Sequence, residues 1–174
     1  MKILKNYVLP AGYVGLLIFI DQITKWLANY HIAPLYPNHP PRDITLIDGF
    51  LRLTHLTNDG MAFGLLSGFR WVFLALTLVI LVVLGFYYRK PPKGRVGTVY
   101  RIVLLTIIGG ALGNFIDRLF RGGGVVDFII FEFFPFVFNF ADVFVVAGVF
   151  AFAIMTIFVI KDEPKDGLKF RKNR

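Results

Sequence analysis

Asp21, Lys25, Asn114, Asp117, Arg118, Asp127, Asn139 and Asp142 all fall inside or at the edge of strongly apolar stretches. A charged side chain near a bilayer centre costs from about 3 kcal/mol upward, so such residues are either paired or functional. Asp127 lies among Val125, Val126, Phe128 and Ile129. Two carboxylates such as Asp127 and Asp142 can hydrolyse a peptide bond without a metal or a protein nucleophile. Held about 3 Å apart they cannot both ionise, and they share one proton. The ionised member takes a proton from water, which attacks the carbonyl carbon, while the protonated member donates to the carbonyl oxygen. Spacing alone leaves this open, because two aspartates in a sequence need not meet in space.

Each candidate also has a plain structural reading. Asp21 and Lys25 are four apart with the acid first, the favourable order for an intrahelical ion pair. Asn139-x-x-Asp142 has the form of a helix N-terminus, asparagine as cap and an acid in the first turn. Asn114, Asp117 and Arg118 share one helix face and suit a tie between two helices. Gly109-x-x-x-Gly113 reads as close helix packing.

Other chemistries are poorly supplied. There is no cysteine, which excludes a disulfide scaffold, a thiol nucleophile and a thiolate metal site. No HExxH occurs, and His31, His39 and His55 all fall in one loop and read as solvated, so a zinc peptidase is not indicated. Ser67 has no histidine at membrane depth to activate it. Gly122–Gly124 lacks the lysine that a phosphate-binding loop requires.

The elements that must position these residues follow from hydropathy. The chain has 174 residues, 56% apolar and 17% charged, against about 45–50% and 25% in soluble domains. Uncharged runs at 6–20, 71–88, 102–116 and 143–160 approach the ~20 residues that span a bilayer, the first and third by taking in polar ends. The expectation is one membrane domain over 1–160, with helices at about 6–27, 70–88, 100–119 and 140–160 and outer loops at about 29–69 and 120–138. A charged tail follows at 161–174. The first run ends in Asp21-Gln22-Ile23-Thr24-Lys25 with no clean cleavage site, so it reads as a retained helix and not a secretory signal. Basic residues concentrate at the N-terminus, at 89–101 and in the tail, which places both termini and that loop in the cytoplasm. The formal charge of +8 therefore marks topology, and no nucleic-acid partner is expected.

Of the two outer loops, Ile44–Leu56 reads as a hairpin turning at Asp48-Gly49, and Val125–Phe131 as a further strand. The fold class expected is an all-α integral membrane protein of four transmembrane helices. A small extracytoplasmic β-sheet platform lies at the outer interface, with the 122–131 loop acting as a lid.

At these residues the chain resembles the lipoprotein signal peptidases, the signal peptidase II family of bacterial aspartyl endopeptidases. The matching segments are Asp21-Gln22-x-Thr24-Lys25, Asn58-x-Gly60-x-Ala62-Phe63, Gly109-Gly110-Ala111-Leu112-Gly113-Asn114-x-x-Asp117-Arg118, Val126-Asp127-Phe128 and Phe138-Asn139-x-Ala141-Asp142. They occur in the family's order and spacing over nearly the whole chain. The resemblance implies removal of the signal peptide from diacylglyceryl-modified prolipoproteins, just before the lipidated cysteine, with Asp127 and Asp142 as the catalytic pair. It implies that Asp21, Lys25, Asn58, Gly60, Asn114, Arg118 and Asn139 support the acids or hold substrate. It further implies no metal or cofactor, and a place in the bacterial cytoplasmic membrane among its lipids with the active site near the outer face. Inhibition by globomycin-type cyclic lipopeptides is expected on the same ground. Met61 departs from the family's usual alanine, and Gly122–Gly124 makes the loop before Asp127 look looser than many.

Two rivals also use acids. Presenilin- and prepilin-peptidase-like proteases want a Gly-x-Gly-Asp motif, which is absent. A small lipid- or proton-coupled carrier would use Asp21 and Asp117 as relays, without requiring Asp127 and Asp142 to meet.

Overall fold

The computed structural model describes residues 4–34, 40–60 and 69–160. Four helices are long and apolar enough to cross a membrane. A π-helical turn leads into α1 (Leu9–His31), followed by α2 (Arg70–Tyr88), α3 (Gly94–Phe120) and α4 (Phe140–Ile154), which continues as π-helix to Ile160. Pro91 and Pro92 separate α2 from α3, and Gly94 turns the chain at φ +67°. Helix α3 thus starts well before its uncharged run, taking in Arg95 and Arg101.

Helix α3 is the central post, packing against each of the other three. It runs parallel to α1 in a steady register. Tyr13 Oη lies 2.9 Å from Thr106 Oγ1, Leu17 covers Gly109 and Asp21 covers Gly113, and Lys25 Nζ lies 2.8 Å from Asp117. Residues four apart on α1 form one face, so a single stripe goes from apolar to charged as it nears the sheet. Gly113 is required there, since an added Cβ would sit 2.6 Å from Asp21 Oδ2. The Gly109–Gly113 segment is therefore a packing surface, as its spacing suggested. Leu16, Phe19, Val82, Phe150 and Phe158 face outward and exposed, as side chains against lipid tails must.

Strands β1 (Ile44–Ile47), β2 (Leu51–Asn58), β3 (Val125–Phe131) and β4 (Val137–Phe138) form an antiparallel sheet in that order. The β1–β2 turn is at Asp48-Gly49, with Gly49 at φ +64°. Arg52 pairs with both Asp43 and Glu132, tying the hairpin to the end of β3. Val126 and Phe128 are buried against Ala28 of α1 and Ile32 just beyond it, which fastens the sheet to one end of the bundle. A second cluster, Tyr100, Val103, Leu104 and Met155, closes the other end.

The small sheet expected from the loops is present, but the 122–131 segment is not a lid. Val125–Phe131 is an interior strand, hydrogen-bonded to β2 on one side and β4 on the other. Two of the three glycines before it are packed, Gly123 against Arg70 and Gly124 against Thr57, while Gly122 lies open, and Gly122 and Gly123 turn at positive φ. The histidines do not all fall in one loop. His31 is the last residue of α1, His55 lies on β2 with Nε2 2.6 Å from Asn29 Oδ1, and His39 lies outside the described residues, as do Met61, Ala62, Phe63 and Ser67.

Candidate active site

Asp127 projects from an interior strand and is 3% exposed. Its neighbour across the ladder is Leu56, so an apolar sheet surrounds a carboxylate. Both oxygens are met by asparagine amides. Asn139 Nδ2 donates to Oδ1 at 2.6 Å, and Asn58 Nδ2 donates to Oδ2 at 3.0 Å. Burial pushes the Asp127 carboxyl up to about 6, and the charge of Asp142 adds to the rise, while the two amides and Lys25 oppose it.

Asp142 lies in the first turn of α4. Asn139 caps that helix, its Oδ1 accepting the Asp142 N–H at 3.0 Å. In return the Asn139 N–H donates to Asp142 Oδ2 at 3.2 Å, completing a capping box. Asn114 Nδ2 donates to the other oxygen, Oδ1, at 2.7 Å. Asn139-x-x-Asp142 is thus a true cap and a link between the acids at once, because an amide carries both an acceptor and donors.

A common rule governs the three asparagines: in each, the carbonyl oxygen is held by a donor, which turns the NH₂ toward an acid. Gly60 N–H holds Asn58 Oδ1 at 3.1 Å, Asp142 N–H holds Asn139 Oδ1, and Lys25 Nζ holds Asn114 Oδ1 at 2.9 Å. Asn139 Nδ2 reaches that last oxygen as well, at 3.2 Å. Strand, loop, helix cap and two helices therefore converge on one hydrogen-bonded group.

The match to known proteins agrees with this site. The family model described as signal peptidase (SPase) II matches residues 13–158, which contain every residue named above. The chain belongs to the signal peptidase II family. This family member is 41% identical over 147 residues to a lipoprotein signal peptidase of Caldanaerobacter subterraneus subsp. tengcongensis, across 83% of this chain and 93% of that one. It is 40% identical over 153 residues to a lipoprotein signal peptidase of Halalkalibacterium halodurans, across 86% and 90%. Its fold matches a bacterial membrane enzyme solved in meso at 2.3 Å resolution, with TM-score 0.72 and 28% identity over 92% of this chain and 96% of that one. It is therefore a multi-pass membrane protein of a bacterial peptidase family.

Lys25 of this signal peptidase II is wholly buried, and its ammonium has three partners. These are Asp21 Oδ2 at 2.8 Å, Asp117 Oδ2 at 2.8 Å and Asn114 Oδ1 at 2.9 Å. The i, i+4 pair read from sequence is real but is only one arm of this arrangement. Asp21 Oδ1 also accepts the Ala141 N–H at 2.9 Å, fastening α1 to the start of α4. Asp117, marked from sequence as paired or functional but not assigned to the site, belongs to the same network, as does Gln22. Gln22 Nε2 donates to Asp117 Oδ1 at 3.0 Å and to the Gly113 carbonyl at 3.2 Å. Both stand within the matched segments, which name no partner for either.

Arg118 departs from its neighbours. Its guanidinium lies 4.9 Å from the Phe73 ring of α2, and its buried Nε has no hydrogen-bond partner among the described residues. Asp142 and Asp127 are the carboxylates that its charge feels most. The face shared by Asn114, Asp117 and Arg118 therefore splits three ways, to the acids, to the α1 lysine and to α2. Among the described residues no group of three or more histidine, cysteine or acidic side chains is arranged to hold a metal.

Proposed function

We propose that this chain removes the signal peptide from diacylglyceryl-modified prolipoproteins, cutting before the lipidated cysteine, with Asp127 and Asp142 as an aspartyl pair. The carrying observation is that Asn139 hydrogen-bonds to both acids while burial raises Asp127 to about 6. Asp127 then holds the shared proton, being the more dehydrated. Asp142, whose two oxygens are held by the Asn114 amide and the Asn139 N–H at the start of α4, serves as the base. Asp142 takes a proton from water, whose oxygen bonds to the scissile carbonyl carbon as Asp127 protonates the carbonyl oxygen. The tetrahedral species then collapses: the C–N bond breaks, the amine nitrogen takes the proton from Asp142, and Asp127 regains its own from the hydroxyl.

Asn58, with Gly60 behind it, and Asn114, with Lys25 and Asp21 behind it, keep the acids in place. Arg118 Nε is a buried donor with no partner among the described residues, which suits a substrate backbone carbonyl. The sheet end of the bundle is the outer side of the bacterial cytoplasmic membrane, and both termini face the cytoplasm. A lipidated substrate thus meets the acids at the interface where its cysteine lies. A cyclic lipopeptide of the globomycin type would compete there, and no metal or cofactor is invoked. A carrier would need Asp21 and Asp117 free as relays, but both are held on Lys25.

The test is cleavage of a diacylglyceryl-modified prolipoprotein by purified protein beside Asp127→Asn and Asp142→Asn, with thermal melts in detergent as the folding control. Near-total loss in both variants with melts preserved is expected. Activity retained in either removes that residue from the mechanism. An inactive parent on properly lipidated substrate brings the carrier forward.

A further inference from the structure

An apolar groove of about 470 Å³ runs between the last turns of α1 and the sheet, walled by Leu27, Ile32, Ile44, Leu46, Leu53 and Phe128. Its volume is in the ~300–1,000 Å³ range of small-ligand sites. None of the polar residues around Asp127 and Asp142 lines it, so it is separate from the proposed catalytic site. Thr24 adds no polar function, because its hydroxyl is engaged with the Ile20 and Asp21 carbonyls at 2.8 and 2.9 Å.

Three observations say what fills it. The groove is continuous with the exposed, lipid-facing side of α1 at Ile23 and Leu27. It lies at interface depth, because Trp26 and Tyr30 stack at 5.6 Å on the last two turns of α1 and are exposed, as aromatic belt residues are. Its rim is basic or titratable: exposed His31 lines it, and exposed Arg42, whose N–H donates to the Ile32 carbonyl at 2.9 Å, makes no ion pair among the described residues. We propose that the groove holds one acyl chain of a resident anionic phospholipid, with the phosphate at Arg42 and His31. Such a lipid would fill the gap between the hairpin and α1.

The test uses the full chain in nanodiscs of mixed phosphatidylglycerol and phosphatidylcholine, released into mild detergent and weighed by native mass spectrometry. One retained phosphatidylglycerol is expected. Leu46→Asp, at an exposed strand position, should cut retention about ten-fold or more by placing a charge beside the chain. Leu46→Trp should do so by filling the groove, and it guards against a folding artefact. Arg42→Gln should leave a lipid bound but abolish the preference for phosphatidylglycerol. Unchanged retention in both Leu46 variants overturns the site, and an unchanged preference in Arg42→Gln overturns the headgroup assignment. A raised KM for lipidated substrate in the Leu46 variants, with phospholipid retention intact, would give the groove to the substrate's lipid and overturn the resident one.

Discussion

Asn139 Nδ2 lies 2.6 Å from Asp127 Oδ1, although the two residues come from different elements, a helix cap and an interior strand. The same side chain caps α4 through its oxygen. One asparagine therefore does a structural task with its acceptor and a site task with its donors, and the tasks are separable by mutation.

Asn139→Ser keeps a capping oxygen but is too short to reach Asp127. At pH 5, where Asp127 is protonated, its melt should stay within about 1 kcal/mol of the parent, whereas Asn139→Ala should lose about 1–2 kcal/mol with the cap. Both should lose cleavage by roughly 10²-fold, the scale of misplacing a general acid or base. A Ser variant with parental turnover would show that the asparagine is only a cap.

The raised Asp127 carboxyl makes stability depend on pH in a definite direction. The folded state binds this proton more tightly than the unfolded chain, so the group's contribution is fully present below 3.8 and is lost as pH rises through about 6. The loss above that is about 3 kcal/mol. Replacing Asp127 with asparagine removes the titration, so the melting difference between variant and parent should move in the variant's favour from pH 4 to pH 8. A difference that stays flat contradicts a raised carboxyl.

On the proposed mechanism the pair works with one proton, and its upper step in the free enzyme is expected near Asp127's value of about 6. The kcat/KM should fall as pH rises through that step. The Asn58 amide holds Asp127 down, so Asn58→Ala should move this limb to higher pH. A limb that moves to lower pH would remove Asn58 from contact with the acid in solution.

Lys25→Met leaves Asp21 and Asp117 buried without their common cation. Breaking a buried pair in this way costs about 3–5 kcal/mol, read as a lower melt in detergent. Adding Asp117→Asn should recover part of that loss, and double-mutant coupling is the measurement. Strict additivity of the two changes would show that the ion pair is not formed.

Gly113→Ala puts a Cβ 2.6 Å from Asp21 Oδ2. The overpacking should cost about 1–3 kcal/mol, while Gly85→Ala, where nothing lies within 4 Å, should be neutral or slightly stabilising. Equal melts for the two variants would contradict the α1–α3 approach seen here.

What was legible from sequence alone depended on periodicity and local chemistry. The spans follow from runs of apolar residues, the hairpin from Asp48-Gly49 between β-formers, and the acids from their cost at membrane depth. The Asn139–Asp142 cap is also local, since its bonds close within three residues. The departures arose where the deciding partner is remote. Val125–Phe131 read as a strand, but whether it was edge, lid or interior depended on β2 and β4 pairing with it. Asp21-x-x-x-Lys25 predicted one ion pair, and nothing in that spacing reveals that Asp117, far along the chain, takes the other side of the ammonium.

The amino-acid order by itself determined the four spans, the hairpin and the Val125–Phe131 strand, because hydropathy and turn chemistry act over a few residues. Only the tertiary structure decided which way each asparagine amide points. That orientation is set by the donor on its carbonyl: Gly60, Lys25 or Asp142. For Asn114 the donor lies on a separate helix, 89 residues away in the chain. A helix periodicity names the face on which a residue lies, but the partner waiting on that face exists only once the helices have packed.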